Sequence, residues 1–287
     1  MTTIGPIGLL VTVTLLWGLS SAALSTLEGA LTSIALVPAG GSAMLLILAV
    51  VRGDDPRRIF AASPRFYLRL GGLEAANLVL FVAALRIGPL PMVVALHLTA
   101  PLLLIAARIV RRERKLTVLV VFEMFLVGAA IWLAAAWRPT AVEPEKIVLG
   151  CVLAVGSAVC VAMLVSLVAR ESAVRTTIAS AGLQLLIASM LSSALMVTAP
   201  PRAAVVGWLL LIGATLLGPG FALYWYAMRR LDATTASIVG LNEAVIASIA
   251  GAIFTDKGIT LGALAAGVLV LSAVAIEMWS RRESRVR

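Results

Sequence analysis

Three ionisable side chains interrupt stretches that are otherwise apolar. Glu74, His97 and Glu243 each lie near the centre of a long hydrophobic run, with Asn77 and Asn242 beside the two carboxyls. A carboxyl can take up a proton, bind a cation or accept hydrogen bonds, and a histidine titrates in the physiological range. At the centre of a membrane span a charged side chain costs about 2.5–3.5 kcal/mol, so a partner, water or a ligand must offset it. Glu243, which follows Gly240 in a run of small and apolar residues, is the leading candidate for a coupling or substrate-binding carboxyl. Glu74 and Asn77 are three residues apart and share one helix face. His97 is the only histidine in the chain. Glu123 lies nearer the end of its run, where a bond to the Arg111–Arg114 cluster or to a neighbouring helix accounts for it. Gln184 reads as a residue that joins helices. Trp17 and Tyr224 are deep enough to form walls of a binding cavity. Tyr224-Trp225-Tyr226 also has the character of an interfacial aromatic anchor.

The runs that carry these residues dominate the sequence. Of 287 residues, 61% are hydrophobic and 13% charged, and the mean hydropathy is +1.07. A soluble domain carries nearly twice that share of charge. About 20 apolar residues cross a bilayer core, and ten runs qualify: 6–26, 30–51, 66–85, 89–107, 116–136, 147–169, 177–197, 203–228, 233–254 and 259–278. They lack the alternation of barrel strands. The expected fold is therefore an all-α membrane protein of ten transmembrane helices. The net charge of +9 is a topology signal, which argues against a nucleic-acid partner. Of the 23 Lys and Arg residues, 18 fall on one set of alternate loops, leaving only Arg86, Arg138, Lys146, Arg202 and Lys257 on the other. The positive-inside rule then places both termini in the cytoplasm of a cell, plasma or inner, membrane. Anionic membrane lipids are the expected contacts of the basic loops. The first run has no basic region before it, which is unlike a cleavable signal.

The chain also repeats itself at an offset of 143 residues, without a gap. Phe81-Val82-Ala83-Ala84-Leu85-Arg86 falls on Tyr224-Trp225-Tyr226-Ala227-Met228-Arg229, Leu98 on Leu241, and Glu113 on Asp256. Each half holds five spans, so residues 1–143 and 144–287 form two repeats of opposite orientation, with a site between them. Pro38, Pro101 and Gly218-Pro219-Gly220 break helices at depth, the last aligning with Ala75-Ala76-Asn77. Pro101 and Gly218, Pro219 and Gly220 are the candidate hinges. Cys151 and Cys160 point to opposite faces of one helix and cannot bridge. No metal-ligand spacing, nucleotide-binding loop or cofactor motif is present. An intramembrane hydrolase pairing Ser20 or Ser21 with His97 lacks a nucleophile elbow, so an enzyme is not expected. Gly258 and Gly262 allow a helix–helix contact.

At these residues the chain resembles the drug/metabolite transporter superfamily, specifically its ten-helix EamA branch. The resemblance rests on the duplication, on Trp17-Gly18, and on Ala84-Leu85-Arg86 with its counterpart Ala227-Met228-Arg229-Arg230. The Glu-Pro pair typical of each family half is split here, as Pro101 in one copy and Glu243 in the other. Ala95-Leu96-His97-Leu98-Thr99-Ala100-Pro101-Leu102 is most similar to the threonine/homoserine exporter group, with His97 in place of an acidic residue. No charge stands between Pro38 and Met44, where many members carry a base. The resemblance implies alternating access around a central cavity lined by the first, third, fourth, sixth, eighth and ninth helices. It also implies a secondary active transporter exporting a small polar or amphipathic metabolite such as an amino acid. Import, or multidrug-type efflux on the same fold, is the alternative.

Overall fold

A computed structural model describes residues 5–25, 30–87, 90–113, 117–135, 144–175, 177–198 and 200–254, with helical positions 265, 267–269, 271–273 and 275–276. Everything regular among them is helical. Helix α1 spans Pro6–Ser25, α2 Ala30–Val51, α3 Pro56–Ala62, α4 Pro64–Ile87, α5 Leu90–His97, α6 Ala100–Val110 and α7 Val118–Ala135. Helix α8 spans Pro144–Glu171, α9 Thr177–Ser192, α10 Leu195–Thr198, α11 Ala203–Ile212, α12 Gly218–Met228, α13 Ala233–Gly240 and α14 Asn242–Phe254. Five stretches are long and apolar enough to cross a membrane: Pro6–Leu24, Thr32–Val51, Pro64–Ile87, Glu145–Glu171 and Ala203–Met228. The helices within the other described runs are apolar but shorter.

Among the described residues, three of the ten runs are broken helices, where a single span is expected from the sequence. The run over 177–197 divides into α9 and α10, with a turn at Ser193 and Ala194. The run over 89–107 divides into α5 and α6, with a turn at Leu98 and Thr99. The run over 233–254 divides into α13 and α14, with a turn at Leu241. Pro101 therefore sits in the first turn of α6, where its missing N–H is harmless, and not inside a helix. The long run over 203–228 stays helical, but residues Gly213–Leu217 form a π-helical turn between α11 and α12. Within that turn the Thr215 hydroxyl donates to the Leu211 carbonyl at 2.7 Å. Insertion of a side chain into the carbonyl ladder is a recognised cause of such irregularity. Pro219 falls in the first turn of α12, whereas Pro38 lies within α2.

The helices of the two sequence halves interleave. Helix α2 packs against α9, and α4 against both α8 and α9. The rod formed by α11, the π-turn and α12 packs against α1 and α2. Helix α1 also lies on α13 and α14, while α8 lies on α5 and α6. Small residues allow the closest crossings. A Cβ on Gly40 would overlap the Leu210 carbonyl, and one on Gly213 would overlap the Val37 carbonyl. The backbones of α2 and the α11 rod therefore touch, as small-residue interfaces in membranes permit. Away from this crossing, an ion pair joins the halves. Arg108 Nη1 lies 3.4 Å from the Asp232 carboxylate and donates to Thr234 Oγ1 at 2.9 Å. Asp232 also caps α13 through the Thr235 amide.

Candidate functional site

The midplane polar residues do not stand alone. Helix α4 presents Glu74 and Asn77 from adjacent turns toward α8 and α9. Gln184, fully buried in α9, donates from Nε2 to Glu74 Oε2 at 2.9 Å. Its Oε1 accepts the indole N–H of Trp225, on α12, at 2.9 Å. The Asn77 side chain also bonds the Glu74 carboxyl. On its other side, Asn77 Oδ1 accepts the Ser157 hydroxyl of α8 at 2.7 Å. Ser157 Oγ lies 2.9 Å from His97 Nδ1, at the end of α5, and the Phe81 ring covers the imidazole with centroids 4.2 Å apart. One chain of hydrogen bonds thus links α12, α9, α4, α8 and α5, and it draws on both sequence halves.

A second group gathers around α1. The Trp17 ring packs on Phe221 and Tyr224 of α12, at centroid distances of 5.0 Å and 5.4 Å. Gly220 makes room for it, since a Cβ there would overlap the indole nitrogen. Gly18 lets α1 approach Ile246 of α14. Ser21 donates to Glu243 Oε1 at 3.4 Å, and Glu243 occupies the first turn of α14. A carboxylate is favoured there by the unpaired amides and the helix dipole. Asn242, the first residue of α14, is buried, and its Oδ1 has no hydrogen-bond partner among the described residues. The Trp17 indole nitrogen is in the same position. Trp225 of the first group and Tyr224 of the second are adjacent on α12, so the two groups share one region of the bundle.

The binding and hinge residues expected from the sequence all lie among the described residues. Glu74, Asn77 and His97 fall on the first group; Trp17, Tyr224, Asn242 and Glu243 fall on the second. The hinge candidates Pro101 and Gly218–Gly220 each open a helix. Three members of the first group were not expected as site residues. Gln184 reads from the sequence only as a residue joining helices, and Ser157 carries no signal beyond being polar in an apolar run. Trp225 has the sequence character of an interfacial anchor, yet it is completely buried. His97 bonds Ser157, and Ser21 bonds Glu243, so neither serine candidate forms the imagined hydrolase pair. Glu123 is fully buried in α7. Cys151 and Cys160 are free thiols. Asp256, Gly258 and Gly262 lie outside the described residues. Among the described residues, no cluster of His, Cys, Asp and Glu could hold a metal ion.

Comparison with known proteins bears on this arrangement. Residues 148–278 match the EamA-like transporter family. The chain carries an EamA-like domain. That domain covers the second sequence half, including Ser157, Gln184, Trp225 and Glu243, and its family consists of transporters rather than enzymes. A search of curated proteins returns no match. Among solved structures, one crystal structure superposes with a TM-score of 0.78 at 19% identity, over 98% of this chain and 98% of that one. At that identity the likeness shows the fold, which extends beyond the EamA-like domain to the whole chain.

Proposed function

We propose that the protein is a secondary transporter that exports a small polar or amphipathic metabolite, such as an amino acid, by alternating access. Two inverted five-helix repeats, residues 1–143 and 144–287, would enclose its site. One observation carries this reading: the breaks between α5 and α6 and between α13 and α14 fall at equivalent places. Helix α5 ends at His97 and α13 at Gly240, which are 143 residues apart. Discontinuous helices in corresponding positions of two repeats mark the binding site of secondary transporters. The packing supports the same symmetry. Exchange of the halves turns the contact of α4 with α8 into that of α12 with α1, and the contact of α1 with α14 into that of α8 with α6. It returns the α2–α9 contact to itself.

Glu243 is the proposed coupling or binding carboxyl. His97, Glu74, Asn77 and Asn242 would be its polar neighbours, and Trp17 and Tyr224 the cavity walls. The breaks at Pro101 and at Gly218, Pro219 and Gly220 would act as hinges. The export direction rests on the likeness around His97 to the threonine/homoserine exporters. A metabolite screen in proteoliposomes tests the reading, with right-side-out and inside-out vesicles compared. Glu243-dependent accumulation in inside-out vesicles is the expected result. Accumulation only in right-side-out vesicles would reverse the direction, and no transport of any metabolite would remove the function.

A further inference from the structure

The hydrogen bonds of the first group share a direction. An indole N–H can only donate, so Gln184 must turn its oxygen to Trp225 and its amide to Glu74. On the opposite side Ser157 gives its single hydroxyl proton to Asn77 Oδ1, which leaves the Asn77 amide for the Glu74 carboxyl. With that proton committed to Asn77, Ser157 Oγ can accept from His97 Nδ1, 2.9 Å away, when the ring carries a proton on Nδ1. Read from either end, each donor then points along the chain toward Glu74.

Among the described residues no Lys or Arg pairs with the Glu74 carboxyl. Of the ten apolar runs, nine contain no Lys or Arg, and the exception, Arg69, is exposed on α4. Glu243 adds a second negative group in the same region and is held by one long bond from Ser21. Donors lower the cost of a buried carboxylate but do not supply its counter-charge.

We propose that Glu74 is the anchor for a protonated amine of the substrate, and that Gln184, Ser157 and Trp225 are its positioning residues. The inference rests on the transporter reading and names the chemistry of the ligand for that site. An ammonium group would supply the missing charge and offers only donors, which suits the oxygens of the Glu74 and Glu243 carboxyls. An anionic substrate meets two carboxylates and no base.

Thermal unfolding of the full-length protein in detergent tests this with three probes of one shape, phenethylamine, 2-phenylethanol and 3-phenylpropionate, and with sodium chloride as an inorganic cation. The amine alone should raise Tm in a saturable way, and Glu74→Gln should remove that rise. Gln184→Leu should weaken apparent amine affinity by about tenfold or more, as expected for loss of a hydrogen bond to a charged group, and Ser157→Ala should weaken it to a smaller extent by releasing Asn77. Ser157→Thr, which keeps the hydroxyl, should not. A merely structural role would lower the Tm of the ligand-free protein and leave the apparent amine affinity unchanged, whereas a positioning role changes that affinity. Should Glu74→Gln fail to fold, the Ser157 pair decides, because it leaves the carboxyl in place. Equal protection by sodium or by the anion, or amine protection that survives Glu74→Gln, would overturn the proposal. Metabolite transport without amine binding would sink this inference alone. Amine binding without any transport would instead remove the transporter reading.

Discussion

At the scale of single residues, the two midplane carboxyls differ in how firmly they are held. Glu74 is gripped by a buried amide whose orientation is fixed by Trp225, while Glu243 has one 3.4 Å contact to Ser21. A loosely held carboxyl can change partners during a cycle, which suits coupling. Glu243→Gln should leave the protein folded and inserted but reduce transport by more than about tenfold, at least 1.4 kcal/mol of lost transition-state stabilisation. Glu123→Gln should transport normally. Uptake into vesicles over a range of pH checks both, and failure of Glu123→Gln alone would reverse their ranking. The sequence displays Glu74, Asn77, His97 and Glu243 because a polar residue in an apolar run is visible without a structure. It hides Ser157, Gln184 and Trp225 as members of the group. Their roles depend on which helices adjoin, and no spacing along one helix encodes that.

Among the helices, the close backbone crossing of α2 with the α11 rod depends on absent side chains. Gly213→Val would drive two methyl groups into the Val37 carbonyl, for which no rotamer offers relief. Overpacking of this kind costs about 1–3 kcal/mol or more, so a clear fall in Tm is expected. Gly128→Ala in α7 meets nothing within 4 Å. It should be neutral or stabilising by up to about 1 kcal/mol, the helix-propensity gain. The two variants melted side by side in detergent check the contrast. Hydropathy locates the helices well: α2 spans the whole of its predicted run, 30–51. It does not reveal the breaks after His97 and Gly240, since α5, α6, α13 and α14 are as apolar as unbroken spans. Only Pro101 marks one of them, and the other turns at Gly240-Leu241 with no proline at all.

For the molecule as a whole, charge placement makes the strongest commitment. In a background without Cys151 and Cys160, Asp54→Cys and Glu145→Cys should label from opposite sides of the membrane, Asp54→Cys from the cytoplasm. Labelling of both from one side would remove the inverted arrangement. The ion pair joining Arg108 to Asp232 ties the first half of the sequence to the second. Both partners are partly exposed, so a double-mutant cycle with Arg108→Gln and Asp232→Asn should give a coupling of only about 0.2–1 kcal/mol. A latch that weak can open at thermal cost. Composition makes the all-helical membrane fold class legible, but it carries no information on rotation of one helix about its own axis.

That rotation is where the π-turn has its effect. Residues Gly213–Leu217 correspond under the offset to Leu70–Glu74, which are ordinary α-helix in α4. A π-turn takes about one residue more than an α-turn, and each residue is worth about 100° around the axis. From Gly218 onward, the second copy is therefore out of phase with the first although their sequences align without a gap. The aligned residues Val82 and Trp225 need not face the same way, and Trp225 is turned to reach Gln184. In the proposed repeat arrangement, this change in winding would give the two copies different surfaces. Deleting Thr215 would restore the common phase, and it should swing Trp225 away from its partner while leaving α11 in place.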